Sequence, residues 1–385
     1  MKVTFLTWEY PPHVYGGAGV HVQNLIQNLR GRVEIEVRTL LPEESQAPEV
    51  EEEDGVKVLR YPRWSLLRSK DQFSSVLSAF STDLAMVKDP IDGDIVHAHT
   101  WYTALACYYV KQLYDRRLVM TVHSLEPKRP WKEQALGNAY RLSTWAEKTG
   151  MEGCDRVIAV SHADEKDVVE CYDVARDRVK VIPNGVDAEV FQRREDPKVL
   201  VKYGVRAPYV LFLGRLSRQK GVFDLVSAAS SLPEGVTLVL VTGAPDEAGI
   251  TTELSRKLEG GRNILWIDKM LPRHEVVALL SGASVFVAPS LYEPFGIMNL
   301  EAMACERPVV STRVGGIVDV VVDEETGLLV SPSNQEGLTE AINRILSNPE
   351  LGERMGKTGR RRVERMFTWK RVADETLSLY GEMLE

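Results

Sequence analysis

The nine residues Glu293-Pro-Phe-Gly-Ile-Met-Asn-Leu-Glu301 directly follow an apolar run, Val285-Phe-Val-Ala-Pro-Ser290, and hang two carboxylates on what reads as a loop-to-helix junction. Parallel sheets bind ligands beyond the carboxyl ends of their strands, where a helix N-terminus directs free backbone N–H groups at phosphate oxygens. A carboxylate repels a diphosphate. Glu293 in the loop and Glu301 on the helix therefore read as acceptors for hydroxyl groups, one on a sugar and one on a ribose. The competing reading is a helix whose early acid suits the macrodipole and whose later Glu is merely solvated.

Cations of matching use stand in Gly214-Arg-Leu-Ser-Arg-Gln-Lys-Gly221, which leaves a strand and precedes a helix. Arg215 offers a fork of donors and Lys220 a point charge, enough to neutralise a departing diphosphate without a metal; the alternative is two solvated surface cations. Near the start, Pro11-Pro-His-Val-Tyr-Gly-Gly-Ala-Gly-Val20 opens another helix, so the N–H groups of Gly16 and Gly17 can approach a phosphate with no side chain in the way. It lacks the G-x-G-x-x-G spacing of the dinucleotide fingerprint and is equally readable as a structural turn. His97 and His99 alternate on a strand, a pattern that can ligate a metal, but no third ligand stands at a persuasive spacing and they read as core or wall residues. Asp92-Gly-Asp94 reads as a polar turn rather than an ion-holding D-x-D. His123 closes the buried run Leu118–His123, at the end of a strand where site residues concentrate.

A chain of 385 residues exceeds what one core usually supports, so two domains are expected. Its 47 Lys and Arg against 55 Asp and Glu give a net charge of −8, which speaks against broad attraction to nucleic acid or anionic membrane. The first residues form a short apolar strand rather than a signal peptide, and no stretch approaches membrane-spanning length. Four cysteines without paired spacing fit reduced thiols and a cytoplasmic setting.

Strand and helix patterns alternate through both halves, as in parallel sheets with crossover helices. Strands are expected at 2–7, 33–40, 56–61, 95–99, 118–123 and 156–161, then at 209–214, 237–243, 263–266, 285–288, 309–312 and 327–330. Residues 42–54 are acidic, bury little and read as a mobile loop; residues 192–208, charged and with two prolines, read as a hinge.

Taken in order, Gly16-Gly17, Val96-His-Ala-His-Thr-Trp101, Thr121-Val-His123, Pro183-Asn-Gly-Val-Asp187, Gly214-Arg-Leu with Lys220-Gly221, and Glu293-Pro-Phe-Gly with Glu301 strongly resemble the group 1 family of retaining glycosyltransferases, across nearly the whole chain. Within it, Trp8–His21 and His99-Thr-Trp101 look most like the compact bacterial glycogen synthases and maltose-1-phosphate synthases. The resemblance implies an α/β protein of the GT-B fold: two Rossmann-like domains whose parallel sheets face a central cleft, at residues 1–190 for the acceptor and 191–366 for the nucleotide sugar, with a C-terminal helix in 367–385 crossing back to the first.

It further implies that Arg215 and Lys220 hold the diphosphate, with Gly16, Gly17, Gly296 and Ile297 assisting. Glu301 would take the ribose, Glu293 the glucose hydroxyls, and Leu271, in a loop before a helix, the base. His123 would lie beside the transferred glucose, and the acceptor would enter over Glu9, Tyr15, Thr100 and Trp101. No metal and no cofactor are expected. Glucose would pass from ADP-glucose, or UDP-glucose, to an α-1,4-glucan or glucose 1-phosphate by front-face departure and attack. The power of such a step is charge stabilisation and positioning.

Larger glycogen and starch synthases carry Lys-Val-Gly-Gly and His-Asp-Trp where this chain reads Val14-Tyr-Gly-Gly17 and His99-Thr-Trp101, which fits the compact subgroup better. A phosphorylated acceptor needs cations, for which Arg63, Arg68, Lys128, Arg129 and Lys132 are candidates, and Trp64, Trp101 and Trp131 could stack on sugar rings or simply pack. Two other readings stand beside this one: a UDP- or GDP-sugar transferase acting on a lipid or small metabolite, and a non-catalytic sugar-nucleotide sensor.

Overall fold

The computed structural model describes residues 1–41, 48–67, 73–247, 249–259 and 263–385. They form two compact units, Met1–Asn184 together with Trp369–Glu385, and Gly185–Thr368. The chain passes between them at Asn184–Gly185 and at Thr368–Trp369. Residues 192–208, expected as a hinge, instead lie inside the second unit and include the helix Pro197–Tyr203, started by Asp196 accepting from the Lys198 N–H.

The first unit carries β1 (Lys2–Leu6), β2 (Glu34–Leu41), β3 (Glu49–Glu53), β4 (Val56–Pro62), β5 (Ile95–His99), β6 (Arg117–Val122), β7 (Arg156–Ala159) and β8 (Val179–Val181), in the order β3-β4-β2-β1-β5-β6-β7-β8. Its central strands are apolar along their length because helices cover both faces; Val3, Phe5, Val96, Val119 and Met120 are wholly buried. Every neighbouring pair is parallel except β3 with β4. β3 corrects the loop expected over 42–54. Its sequence Glu-Val-Glu-Glu-Glu is exposed throughout, yet Glu52 pairs with Lys57 in register, and Arg60 donates to Glu51 at 3.2 Å. The Arg60–Glu51 pair and the ladder hold what apolar burial does not, and a row of carboxylates blunts a sheet edge. Residues 42–47 of that stretch lie outside the described residues.

The helix Trp369–Leu384 belongs to this unit, where Trp369, Val372, Leu379, Tyr380 and Met383 join Phe5, Leu25 and Ile95 in one core. The Tyr380 hydroxyl hydrogen-bonds His97 Nδ1 at 2.6 Å.

The second unit holds β9 (Tyr209–Leu216), β10 (Thr237–Pro245), β11 (Ile264–Asp268), β12 (Val285–Ala288), β13 (Val309–Thr312) and β14 (Gly327–Val330), all parallel, in the order β11-β10-β9-β12-β13-β14. Strand order reverses direction between β9 and β12, and in the first unit between β1 and β5. Loops that leave such paired strands diverge and open a crevice, so these reversals fix where each unit can take a ligand.

Candidate active site

In the second unit the crevice is built from the loops after β9 and β12. Lys220 Nζ lies 2.5 Å from Glu293 Oε2, with both side chains less than one-fifth exposed, and Ser290 Oγ stands 3.5 Å from the same oxygen. The loops are laced together: the Leu291 N–H donates to Gln219 O at 2.8 Å, and Gln219 Nε2 to Tyr292 O at 3.0 Å. Gly221 makes this closeness possible. It has φ +67°, and a Cβ there would sit 1.9 Å from the Pro289 carbonyl oxygen. Gly315 does the same behind Glu293, whose carbonyl accepts from the Gly316 N–H at 3.0 Å. Backbone thus grips backbone on both sides of the acid.

Arg215, at the end of β9, pairs with Asp246 at 2.7 Å and remains half exposed. On the adjoining strand Gly243 is its register partner, with the Met270 side chain packed against that glycine. Gly296, φ +96°, precedes the helix Ile297–Ala304, whose N-terminus no side chain caps. Free N–H groups there suit an anion. Glu301 on that helix is half buried; burial pushes its carboxyl up to about 8 against a lowering pull from Arg273. Leu271, half buried, follows β11 and directly precedes the helix Arg273–Gly282. All seven residues expected here from sequence fall within this unit: Arg215 at the end of β9, Glu301 on the helix Ile297–Ala304, and the rest in the turns and helix starts that follow its strands.

In the first unit Glu9 Oε2 accepts from the Tyr15 and Gly16 N–H groups, each at 2.8 Å. A Cβ on Gly19 would lie 2.6 Å from this oxygen. The amide of Gly16, expected to serve a phosphate, is engaged by the chain's own carboxylate, while Gly17 begins the helix Gly17–Leu29 with its backbone exposed. Tyr15 is 70% exposed. Thr100, after β5, holds φ +66°, a region costly for a β-branched residue, and its Oγ1 is buried without a partner among the described residues. Trp101 is only 4% exposed, with Tyr102 stacked on it at 4.2 Å and Lys132 Nζ 6.0 Å from its ring centroid. Of the two readings given for this ring, stacking on a sugar or packing, the structure shows packing against Tyr102, with Lys132 nearby. Trp64 and Trp131 are exposed.

Of the basic candidates, Lys128 pairs with Asp167 at 2.7 Å, Lys132 with Glu126 at 2.7 Å, and Arg129 donates to Ser124 at 3.0 Å. Arg63 is half buried with no ion-pair partner among the described residues, and Arg68 lies outside them. Asp92 and Asp94 bind the ammonium and the backbone N–H of Lys2, as a polar turn would.

His97 is a core residue, its two ring nitrogens bonded to Tyr380 and Thr121 at 2.6 Å each. His123 follows β6 and is half buried. The fold brings it to His99 and, unforeseen from sequence, to His21 of the first long helix, with the ring centroids of His21 and His123 4.8 Å apart. Burial holds all four imidazoles below their ordinary range, His21 to about 4, so they are neutral at pH 7. The one signal that could have drawn in His21 was its place on the buried face of the helix, beside Val22 and Leu25. Asp246 was missed for a simpler reason: it is 31 residues from Arg215 and meets it only by strand pairing.

Two parallel-sheet α/β units with loops converging at a strand-order reversal in each define a GT-B glycosyltransferase. Residues 15–190 match the model of glycosyltransferase family 4, and residues 193–362 that of glycosyl transferases group 1. The α-maltose-1-phosphate synthase of Mycolicibacterium smegmatis is 42% identical across all of both chains. A glycogen synthase of Mycobacterium tuberculosis is 28% identical over 99% of this chain and 94% of its own. Among solved structures, the sucrose-phosphate synthase of Thermosynechococcus elongatus superposes with a TM-score of 0.80 at 25% identity, covering 100% of this chain and 99% of that one. The chain belongs to the group 1 glycosyltransferases. Among the described residues no helix is long and apolar enough to cross a membrane.

Proposed function

We propose that this enzyme is a retaining glucosyltransferase that moves glucose from ADP-glucose to glucose 1-phosphate, and with lower preference to the end of an α-1,4-glucan, without a metal. The observation that carries the reading is the half-buried Lys220–Glu293 pair flanked by Arg215, the uncapped helix at Ile297 and Glu301. It offers positive charge for a diphosphate and acceptors for hydroxyls within one crevice. The full-length likeness to a protein named α-maltose-1-phosphate synthase supports the phosphorylated acceptor.

In the reaction the bond between glucose C1 and the diphosphate oxygen breaks, and a bond from C1 to the acceptor oxygen forms on the same face. The acceptor proton passes to the departing phosphate oxygen. Arg215, Lys220 and the amides at Ile297 stabilise the charge that develops on that phosphate, and Glu293 fixes the glucose hydroxyls. Glu301 takes the ribose diol and the Leu271 loop the base. His123 of the first unit, kept neutral by burial, suits a sugar as a dipole rather than as a nucleophile. In the first unit the Gly17 amide offers a phosphate donor, and Tyr15, Glu9 and the orphan hydroxyl of Thr100 serve the acceptor.

A donor screen tests this. Purified protein receives ADP-, UDP- or GDP-glucose with glucose 1-phosphate, maltose or glycogen, in a chelator. The expected products are ADP and maltose 1-phosphate of α-configuration by NMR. Activity abolished by chelation, or a β-linked product, defeats the mechanism; tight nucleotide binding with no turnover on any acceptor indicates a sensor instead.

A further inference from the structure

The histidines of the first unit make a second kind of site. His21, from the helix Gly17–Leu29, His99, from the end of β5, and His123, just past β6, each offer a ring nitrogen, and these three atoms lie within 4.8 Å of one another. His99 Nδ1 and His123 Nε2 are 3.2 Å apart. Two imidazoles on one tetrahedral ion with arms of about 2.0–2.1 Å have nitrogens roughly 3.3 Å apart, so that separation already spans one edge of the coordination figure.

The partners around the cluster favour ligation. His21 Nδ1 donates to Asn184 Oδ1 at 2.6 Å, which fixes the tautomer and leaves Nε2 as a lone pair. His99 is wholly buried and the hydrogen bonds of its ring leave Nδ1 facing only His123, so a ring ligating through Nδ1 gives up no other contact; its Nε2 has no partner among the described residues. His97 is excluded because Tyr380 and Thr121 satisfy both its nitrogens. Half-buried His123 gives the cluster its opening to solvent.

We propose that His21, His99 and His123 form a three-imidazole site for a divalent ion of the zinc class, with the fourth position left to water. Imidazole suits zinc, cobalt and nickel and disfavours magnesium and calcium, so the site discriminates against the abundant hard cations. An ion held there takes the ring of His123. Binding needs only the imidazoles; inhibition of transfer follows where His123 also serves the sugar, and that half rests on the function proposed above.

The test is titration of the full chain, freed of metal by a chelator and dialysed, with cobalt(II). One equivalent per chain should give the intense visible absorption of four-coordinate cobalt and be displaced by zinc. His21→Gln and His99→Gln should each lose at least about 100-fold in affinity, and Asn184→Leu, which keeps every ligand but frees the His21 ring, about 10–100-fold. Circular dichroism checks that each variant folds, and any one folded variant suffices. Absence of cobalt binding, or undiminished binding in the folded variants, overturns the site. Separately, zinc added to the chelator-treated enzyme should stop sugar transfer; full activity with zinc bound overturns the inhibitory role while leaving the site and the transfer reaction standing.

Discussion

Lys220 and Glu293 share a contact of 2.5 Å although 73 residues separate them, and each is held by backbone rather than by the other. Gly221 seats the cation loop against Pro289, and Gly316 clamps the carbonyl of Glu293. A charge fixed this way needs no reorganisation when a leaving group becomes anionic. Lys220→Ala should therefore lower the turnover number at saturating nucleotide sugar by about 10²–10³-fold while changing donor affinity far less. Steady-state kinetics alongside a direct binding titration separate the two, and an unchanged turnover number contradicts the assignment.

Gly221→Ala tests the same loop through its backbone. A methyl group 1.9 Å from the Pro289 oxygen, at φ +67°, cannot be absorbed by a flexible side chain. The expected loss is at least about 2 kcal/mol of stability, with activity falling as Lys220 moves. Thermal melts and rates on the purified variant check both.

Glu301 sets a pH dependence. Its carboxyl titrates near 8, and a carboxylate accepts two ribose hydroxyls where the protonated acid accepts less well. Affinity for a nucleotide sugar should rise with pH through about 8 and level off above it, since the diphosphate diester does not titrate there. Glu301→Gln should bind more weakly at high pH and give a flat profile by calorimetry across that range.

Glu147 carries a stability dependence away from the site. It is fully buried, accepts from the Glu126 N–H at 2.7 Å and from the Tyr172 hydroxyl, and burial pushes it up to about 8. The folded protein keeps a proton that the unfolded chain releases near pH 4.5, so this group's stabilisation is full below that pH and is lost as pH rises toward 8. The loss is on the order of 4 kcal/mol. Glu147→Gln should flatten the slope of unfolding free energy between those values, as read from urea titrations, and exceed the parent in stability at pH 8.

Thr100→Gly should separate stability from function. It relieves a left-handed backbone at φ +66° and removes a buried hydroxyl without a partner, so stability should rise by about 1 kcal/mol. The acceptor's kcat/KM should fall about 10-fold if that hydroxyl binds it. A variant that is more stable and equally active removes Thr100 from the acceptor site.

Much of the fold was legible because buried parallel strands read as unbroken apolar runs. Residues 95–99, 285–288, 309–312 and 327–330 begin and end where the sequence pattern places them. β3 was illegible for the converse reason: its residues bury nothing, and Arg60, which pairs with Glu51, is known as a partner only once β4 lies beside it. The donor-side residues were legible because each sits at the end of a strand or in the turn or helix that follows one. What sequence could not show was how they are occupied. Glu9 fills the Gly16 amide, Glu293 receives Lys220, Asp246 receives Arg215, and Trp101 stacks on Tyr102. Such pairings depend on distances across the sheet, and spacing along the chain carries no information about them. His21 joined His99 and His123 in the same manner.

The last seventeen residues complete the unit that begins the chain. A ribosome releases the strands of that unit first, yet Phe5, Leu25 and Ile95 meet Trp369, Leu379 and Tyr380 only once those later residues have emerged. The unit in between is contiguous and is whole before the C-terminal helix emerges. The later-made half can thus fold to completion first, and a nascent chain cut short before Trp369 is left with an unsealed apolar face, a mark by which quality control can tell unfinished enzyme from finished.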